Sequence, residues 1–77
     1  MAIAQFHLTF PPALAREPTV FRLGTDFDLQ ITIRRANVDD HAAWFILDIG
    51  GEPDEIERAV AWLAQLGVVV DRIPIDE

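Results

Sequence analysis

Several residue types are absent from this 77-residue chain, and each absence removes a class of function. There is no cysteine, which excludes disulfides and the thiolate ligands of most structural zinc sites. There is no serine or tyrosine, and neither histidine is paired with a nucleophile, so the sequence predicts no catalytic residue and a protein that is not an enzyme. A phosphate-binding loop is also missing, because Gly50-Gly51 lacks the longer glycine pattern and the lysine that such a loop requires.

The charge of the chain is strongly acidic. Thirteen Asp and Glu residues face six basic residues, all arginine, for a formal net charge of -7. Such a chain repels the phosphates of nucleic acids and of anionic membrane surfaces. In addition, no run of apolar residues approaches the roughly 18 that a membrane-spanning helix needs. The start, residues 1–7, lacks the charged and continuously apolar regions of an export signal. We therefore expect a cytoplasmic protein with no nucleic-acid partner and no membrane insertion.

The length predicts a single domain over residues 1–77 with a thin core. A domain of this size buries only about 60% of the surface that its unfolded chain exposes. Small domains often gain stability from disulfides, a metal ion or self-association. Since no cofactor or metal site is indicated, we expect a homo-oligomer, either a dimer or a larger assembly.

Alternating and helical apolar patterns divide the chain into six elements. Strands are predicted over 3–10, 29–34, 44–51 and 68–73, and helices over 17–26 and 52–66. The second helix has an acidic first turn, an apolar stripe and Gly67 as its stop. This order predicts an α+β fold, the ferredoxin-like βαββαβ two-layer sandwich, with a four-stranded antiparallel sheet and both helices on one face.

The alternation also assigns side chains to the two faces of the sheet. The face under the helices takes Phe6, Leu8, Leu29, Ile31, Ile33, Phe45, Leu47 and Ile49, and the uncovered face takes His7, Thr9, Gln30, Thr32, Arg34, Trp44, Ile46 and Asp48. Trp44 and Ile46 then form an apolar patch, which commonly marks an interaction surface. We select six candidates for ligand binding or an interface: His7, Gln30, Thr32, Arg34, Trp44 and Ile46. They predict a dimer through this face or a sheet edge, unless the loops or the 39–41 hairpin fold over the patch.

Other polar features have structural explanations. Asp39-Asp40-His41 has metal-compatible groups, but adjacent hairpin residues rarely converge on one ion, and His7 has no second ligand in its strand. The acidic residues over 52–57 complement the positive end of a helix. Trp62 is expected to be a partly buried packing residue.

Four stretches carry the pattern of a known family: PTVFRL at 18–23, FDLQITI at 27–33, AVAWL at 59–63 and GVVV at 67–70. With a strand that closes in glycine, they resemble the NIL domain from Phe6 to Ile73. That domain is the C-terminal regulatory module of bacterial methionine ABC-transporter ATPases, and it also occurs alone or beside iron–sulfur ferredoxin domains. The family's Asn-Ile-Leu triplet reads Thr32-Ile33-Arg34 here, so only the isoleucine is retained.

The resemblance implies a non-enzymatic regulatory module that pairs with a copy of itself. In the family, the second strand around the triplet contributes to a methionine site between paired domains, so a small metabolite such as a sulfur amino acid is the implied ligand. The alternative is a protein-interaction subunit with no small ligand, which docks an enzyme or transporter. An acylphosphatase-like enzyme on the same fold is the least supported, because residues 11–16 offer an arginine but no glycines to aim backbone donors.

Overall fold

Two antiparallel strands form the centre of a four-stranded sheet in the computed structural model, which describes residues 1–14, 18–39 and 42–74. The strands are β1 (Ala2–Phe10), β2 (Gln30–Val38), β3 (Ala43–Gly51) and β4 (Val69–Ile73), and the helices are α1 (Thr19–Asp26) and α2 (Pro53–Leu66). The strand order is β2-β3-β1-β4, and every neighbouring pair is antiparallel. The predicted ferredoxin-like α+β sandwich is confirmed.

The core lies between the helices and one face of the sheet. Its buried members are Ala4, Phe6, Leu8 and Phe10 of β1, Ala43, Leu47 and Ile49 of β3, Leu23 of α1, Ile56, Ala59 and Leu63 of α2, and Val68. The period of two in the strands and the i, i+3, i+4 spacing in α2 place these side chains on facing surfaces. Among the described residues, neither helix is long and apolar enough to cross a membrane.

The ends of α2 agree closely with the sequence signals. Pro53 occupies the first turn of α2, where a backbone N–H would have no partner within the helix. The backbone N–H groups of Glu55 and Ile56 donate hydrogen bonds to the Glu52 carbonyl. Gly67 has a φ of 96°, and its N–H donates to the Ala64 carbonyl at 3.1 Å. The next N–H, of buried Val68, donates to the Leu63 carbonyl. These paired bonds form a Schellman motif, which requires the left-handed conformation that glycine adopts without strain.

The second strand differs most from the prediction. β2 runs to Val38 because a β-bulge between Ile33 and Arg35 shifts its register and lets it continue along β3. The extra residue interrupts the alternation, which is why the sequence pattern ends the strand at residue 34. Ile33 lies on the helix side as predicted, yet it is 54% exposed. Eight-residue α1 is too short to cover the far half of β2.

The first helix, α1, begins at Thr19, because Pro18 before it has non-helical backbone angles of φ -79° and ψ 50°. The predicted start at residue 17 is therefore wrong, and residue 17 itself lies outside the described residues. Gly24 of α1 is exposed and lies beside Ile31 of β2. A Cβ there would lie 3.6 Å from Ile31 Cγ1, which is ordinary van der Waals contact, so glycine is not required.

Glu55 joins the first turn of α2 to the chain that leaves α1. Its Oε2 accepts a hydrogen bond from the Asp28 backbone N–H at 3.0 Å, and its Oε1 pairs with Arg58. The Glu55 side chain is 18% exposed, so this contact is partly withdrawn from water. The acidic turn predicted from charge complementarity therefore includes one carboxylate with a specific tertiary partner.

We expect Glu55→Ala to lower the free energy of unfolding by about 1–2 kcal/mol, because the Asp28 N–H loses a charged acceptor. Glu57→Ala is the control, since Glu57 is exposed on the same helix and should change stability by less than about 0.5 kcal/mol. Urea unfolding of both variants gives the comparison. If both variants lose the same free energy of unfolding, then Glu55 stabilises the domain only through its charge near the N-terminus of α2.

Candidate functional site on the open sheet face

The open face is the face of the sheet opposite the helices. Strand pairing and the Arg34–Asp48 contact assign it Ile3, Gln5, His7 and Thr9 of β1, Gln30, Thr32, Arg34, Arg35 and Asn37 of β2, Trp44, Ile46, Asp48 and Gly50 of β3, and Val69, Asp71 and Ile73 of β4. All six candidate residues from the sequence therefore lie on one surface.

The aromatic part of the open face is centred on two stacked rings. The His7 and Trp44 ring centroids are 5.6 Å apart, with an interplanar angle of 18°. His7 lies opposite Ile46, and Trp44 lies opposite Thr9 on one side and Asn37 on the other. Trp44, Ile46 and His7 are half-buried. The predicted patch is thus a shallow, partly covered aromatic surface.

The polar part of the open face is centred on Asp48. Gln5 Nε2 donates to Asp48 Oδ1 at 2.9 Å, and an Arg34 guanidinium nitrogen lies 3.6 Å from Asp48 Oδ2. Thr32 stands opposite Asp48 in the register. Since the Arg34 side chain is 58% exposed, water screens the ion pair, which contributes at most about 1 kcal/mol.

A shallow depression lies beside Asp48 because Gly50 has no side chain. A Cβ on Gly50 would lie 3.6 Å from Ile3 Cγ1 and 3.9 Å from Gln30 Cβ, so glycine leaves a gap between these two residues. The depression has a volume of about 320 Å³ and is lined by Met1, Ile3, Gln30, Thr32, Asp48 and Gly50. Gln30 and Thr32 line it, whereas His7, Trp44 and Ile46 do not. The six candidates thus fall into a polar group and an aromatic group.

Several residues of this surface are missed by sequence reasoning. The bulge brings Arg34 and Arg35 to the open face one after the other, with Arg35 opposite Ile46. The alternation places Asp48 on this face, but nothing in the sequence selects it as a site residue. In the sequence, Gly50 indicates only a turn, although the alternation of the strand places it on the same face as Asp48. A missing side chain on an otherwise filled face is the signal that could have indicated the depression.

The charges of the two sides of the molecule differ. The helix layer, residues 19–28 and 52–66, has six acidic and two basic residues, and both of those arginines pair with acids of their own helix. Among the residues that the structure describes, the open face has two of each sign: Arg34, Arg35, Asp48 and Asp71. The open face is therefore locally neutral on a chain of net charge -7.

The hairpin acids and Trp62 lie apart from the open-face candidates. Within residues 1–14, 18–39 and 42–74, no three His, Asp or Glu side chains come close enough to hold a metal ion. Asp40 and His41 of the hairpin lie outside those ranges. Trp62 packs against Phe27, with centroids 5.5 Å apart, and Arg22 lies over its ring at 5.2 Å. Trp62 is thus a packing residue, as expected.

Comparison with known proteins assigns the fold to a family. The family model of the NIL domain matches residues 5–72. This chain belongs to the NIL domain family. The crystal structure of the C-terminal domain of an ABC transporter ATP-binding protein from Enterococcus faecalis resembles this NIL domain with a TM-score of 0.78, covering 95% of this chain and 86% of that one. The two sequences are 19% identical, so the likeness is one of fold. A search of curated proteins gave no match.

The two adjacent glycines of this NIL domain should respond differently to substitution. A Cβ on Gly51 would lie 2.6 Å from Leu29 Cδ2 and 3.2 Å from the Asp28 carbonyl oxygen. We expect Gly51→Ala to destabilise the domain by about 1–3 kcal/mol through overpacking, and Gly50→Ala to change stability by less than about 1 kcal/mol. Urea unfolding of the two variants measures the difference. The packing described around Gly51 is wrong if both variants behave alike.

Proposed function

We propose that this NIL domain is a non-enzymatic regulatory module that pairs with a second copy through its open face and holds a small metabolite there, such as a sulfur amino acid. The observation that carries the proposal is the half-buried Trp44 on a locally neutral face of an acidic molecule. Membership of the NIL family supports a regulatory role. So does the fold likeness to a domain of an ABC transporter ATP-binding protein.

The charge distribution favours contact between two open faces. Two copies with net charge -7 repel each other, and the repulsion is least when the acidic helix layers point away from each other. On the open face, Arg34 and Arg35 balance Asp48 and Asp71. A twofold axis presents each arginine to the partner's face, as an isologous interface requires.

The apolar content of the open face suits a stable pair. Ile3 and Val69 are exposed on this face beside half-buried Trp44 and Ile46. Burying apolar area stabilises association by roughly 25 cal/mol per Å² before ordering costs.

The sheet edges are less suited to pairing than the open face. The outer strand β2 has a bulge at Arg34 and Arg35, and the other outer strand, β4, has five residues, including Asp71 and Arg72. Bulges, charges and short length are the features by which edge strands avoid adding another strand. Of the two surfaces predicted for self-association, we therefore propose the open face.

A second candidate function is a protein-interaction subunit that docks an enzyme or transporter. It is favoured by apolar residues away from the open face: Ile33 and Val38 on the helix side of β2 are 54% and 57% exposed, and Phe21 of α1 is 71% exposed. These side chains stay exposed when two open faces pair, so they leave a surface for a different protein.

Replacing each of the two tryptophans in turn tests the proposed pairing surface. We expect Trp44→Ala to weaken self-association by about 30-fold, the effect of losing a 2 kcal/mol interface residue, with a smaller effect on folding. Trp62→Ala should do the reverse, because Trp62 packs on Phe27 and Arg22. Sedimentation equilibrium measures association, and urea unfolding measures stability. If Trp44→Ala leaves the mass in solution unchanged but unfolds more easily than Trp62→Ala, then Trp44 belongs to the core and the pairing surface is wrong.

A metabolite screen separates the two candidate functions. A ligand of the regulatory module present at about 100 times its Kd should stabilise the domain by roughly 2.7 kcal/mol in thermal unfolding. The second candidate predicts that no metabolite changes the thermal unfolding of the domain. It also predicts one purified partner protein that binds the unaltered chain but does not bind the Phe21→Gln variant. Finding both results would replace the regulatory proposal with the interaction subunit.

A further inference from the structure

We infer that the uncovered helix side of β2 is a docking surface for an amphipathic helix of a partner protein, one with an apolar stripe and basic residues beside it. We call this surface the β2 strip, and it consists of Ile33, Ala36 and Val38 of β2, Phe45 of β3 and Phe21 of α1. The inference rests on the second candidate function in requiring a protein partner, and it adds the position and the chemistry of that partner. It does not depend on pairing through the open face.

Strand pairing places the β2 strip on the same side of the sheet as the helices. Three residues of β2 lie opposite residues of β3 in the register: Ile33 with Leu47, Ala36 with Phe45, and Val38 with Ala43. Leu47 and Ala43 are buried in the core, so the residues opposite them also face the helix layer. All three residues of β2 are nevertheless exposed, Ile33 to 54% and Val38 to 57%.

The length of α1 explains this exposure. α1 has eight residues, and β2 has nine. With the usual rise per residue, α1 is about 12 Å long and β2 about 30 Å. Roughly 18 Å of β2 therefore extends beyond α1, and a helix of about 12 residues has this length. The helix layer thus leaves room for one further short helix above β2.

Phe21 forms the side of the β2 strip next to α1. Gly24 faces β2, because a Cβ on it would lie 3.6 Å from Ile31 Cγ1. Phe21 precedes Gly24 by three residues and so lies on the same flank of the helix. Helical side chains lean toward the N-terminus of their helix, and the N-terminus of α1 is directed away from the Gln30 end of β2. Phe21, which is 71% exposed, therefore leans toward the uncovered part of the strand.

The surroundings of the β2 strip are acidic. The helix layer has six acidic residues and two basic ones, and both of those arginines pair with acids of their own helix. Asp26 and Asp28 precede β2, and Asp39 follows it. Arg34 and Arg35 lie on the open face and do not neutralise this side. The complement of an apolar strip between carboxylates is an apolar stripe flanked by lysine or arginine.

A basic helix fits the β2 strip better than the other occupants do. The bulge between Ile33 and Arg35 interrupts the outer edge of β2, which disfavours the addition of a strand. A second copy would present its own acidic helix layer, and an anionic membrane surface is also repelled by negative charge. An amphipathic helix lies in an apolar groove through anchors at positions i, i+3 or i+4, and i+7.

Amide NMR titration with three synthetic peptides of about 12 residues tests the class of partner. The first peptide is half leucine and half lysine, in an order that places the leucines on one face of a helix. The second has the same residues in strict alternation, which gives an apolar face only to a strand. The third has glutamate in place of every lysine of the first. We expect the first peptide to shift the amides of the β2 strip, and the other two to bind at least about tenfold more weakly.

Two valines provide matched variants that test the position. Val38 and Val69 are 57% and 56% exposed, but Val38 belongs to the β2 strip and Val69 to the open face. Val38→Lys places a cation in the strip and should weaken binding of the first peptide at least about tenfold. Val69→Lys adds the same charge on the opposite face and should change the affinity less than about twofold. Urea unfolding of both variants establishes that a loss of binding is not a loss of fold.

Several results overturn the inference. They are tighter or equal binding of the alternating or the glutamate peptide, equal effects of the two folded lysine variants, shifts on the open face or α2 in place of the β2 strip, and no binding of the first peptide at millimolar concentration. Amides of the strip that shift with protein concentration alone would assign the strip to a second copy and overturn it as well.

The other proposals can fail separately. In sedimentation without peptide, a chain that pairs but does not bind the first peptide contradicts the β2 strip alone. A chain that binds this peptide at the strip but stays monomeric contradicts the open-face pairing alone. A purified partner protein that binds through the open face supports the second candidate function and contradicts the strip.

Discussion

The structure depends on packing both helices against the same face of one sheet. With strand order β2-β3-β1-β4, the two crossovers place α1 and α2 on one side, and alternate residues of every strand then meet either the helices or the opposite surface. Leu8, Leu47 and Leu63 are fully buried on one side, while His7, Ile46 and Asp48 are placed on the other. The alternation of side chains along the strands therefore places one set of residues in the core and the other set in the candidate site.

The open face differs from the rest of the surface in charge and in chemistry. Stacked His7 and Trp44 form its aromatic part, and the contacts of Asp48 with Gln5 and Arg34 form its polar part. The helix layer carries most of the negative charge among the described residues. An acidic protein with one neutral, partly apolar face has one surface on which like-charged copies can approach with little repulsion, and this physical contrast connects the fold to the proposed function.

Periodicity and single-residue signals were enough to predict the local parts of the fold. Alternation in β1 and β3 assigned their faces correctly, and Gly67 marked the end of α2, because these patterns reflect local geometry. Contacts set by distant segments could not be predicted in this way. The bulge at Ile33–Arg35 breaks the period on which the prediction rested, and the Glu55 bond to the Asp28 N–H exists only after α1 and α2 have met. The depression over Gly50 likewise needs two neighbouring strands.

The central claim is that the open face is the surface on which two copies meet. A dilution series monitored by backbone amide NMR tests it most directly, because shifts that change with concentration locate the contact in the unaltered chain. The account predicts changes in β1 and β3 around His7, Trp44 and Ile46, with little change in α2. Changes concentrated on Phe21 and the helix side of β2, or no change with concentration, would contradict it.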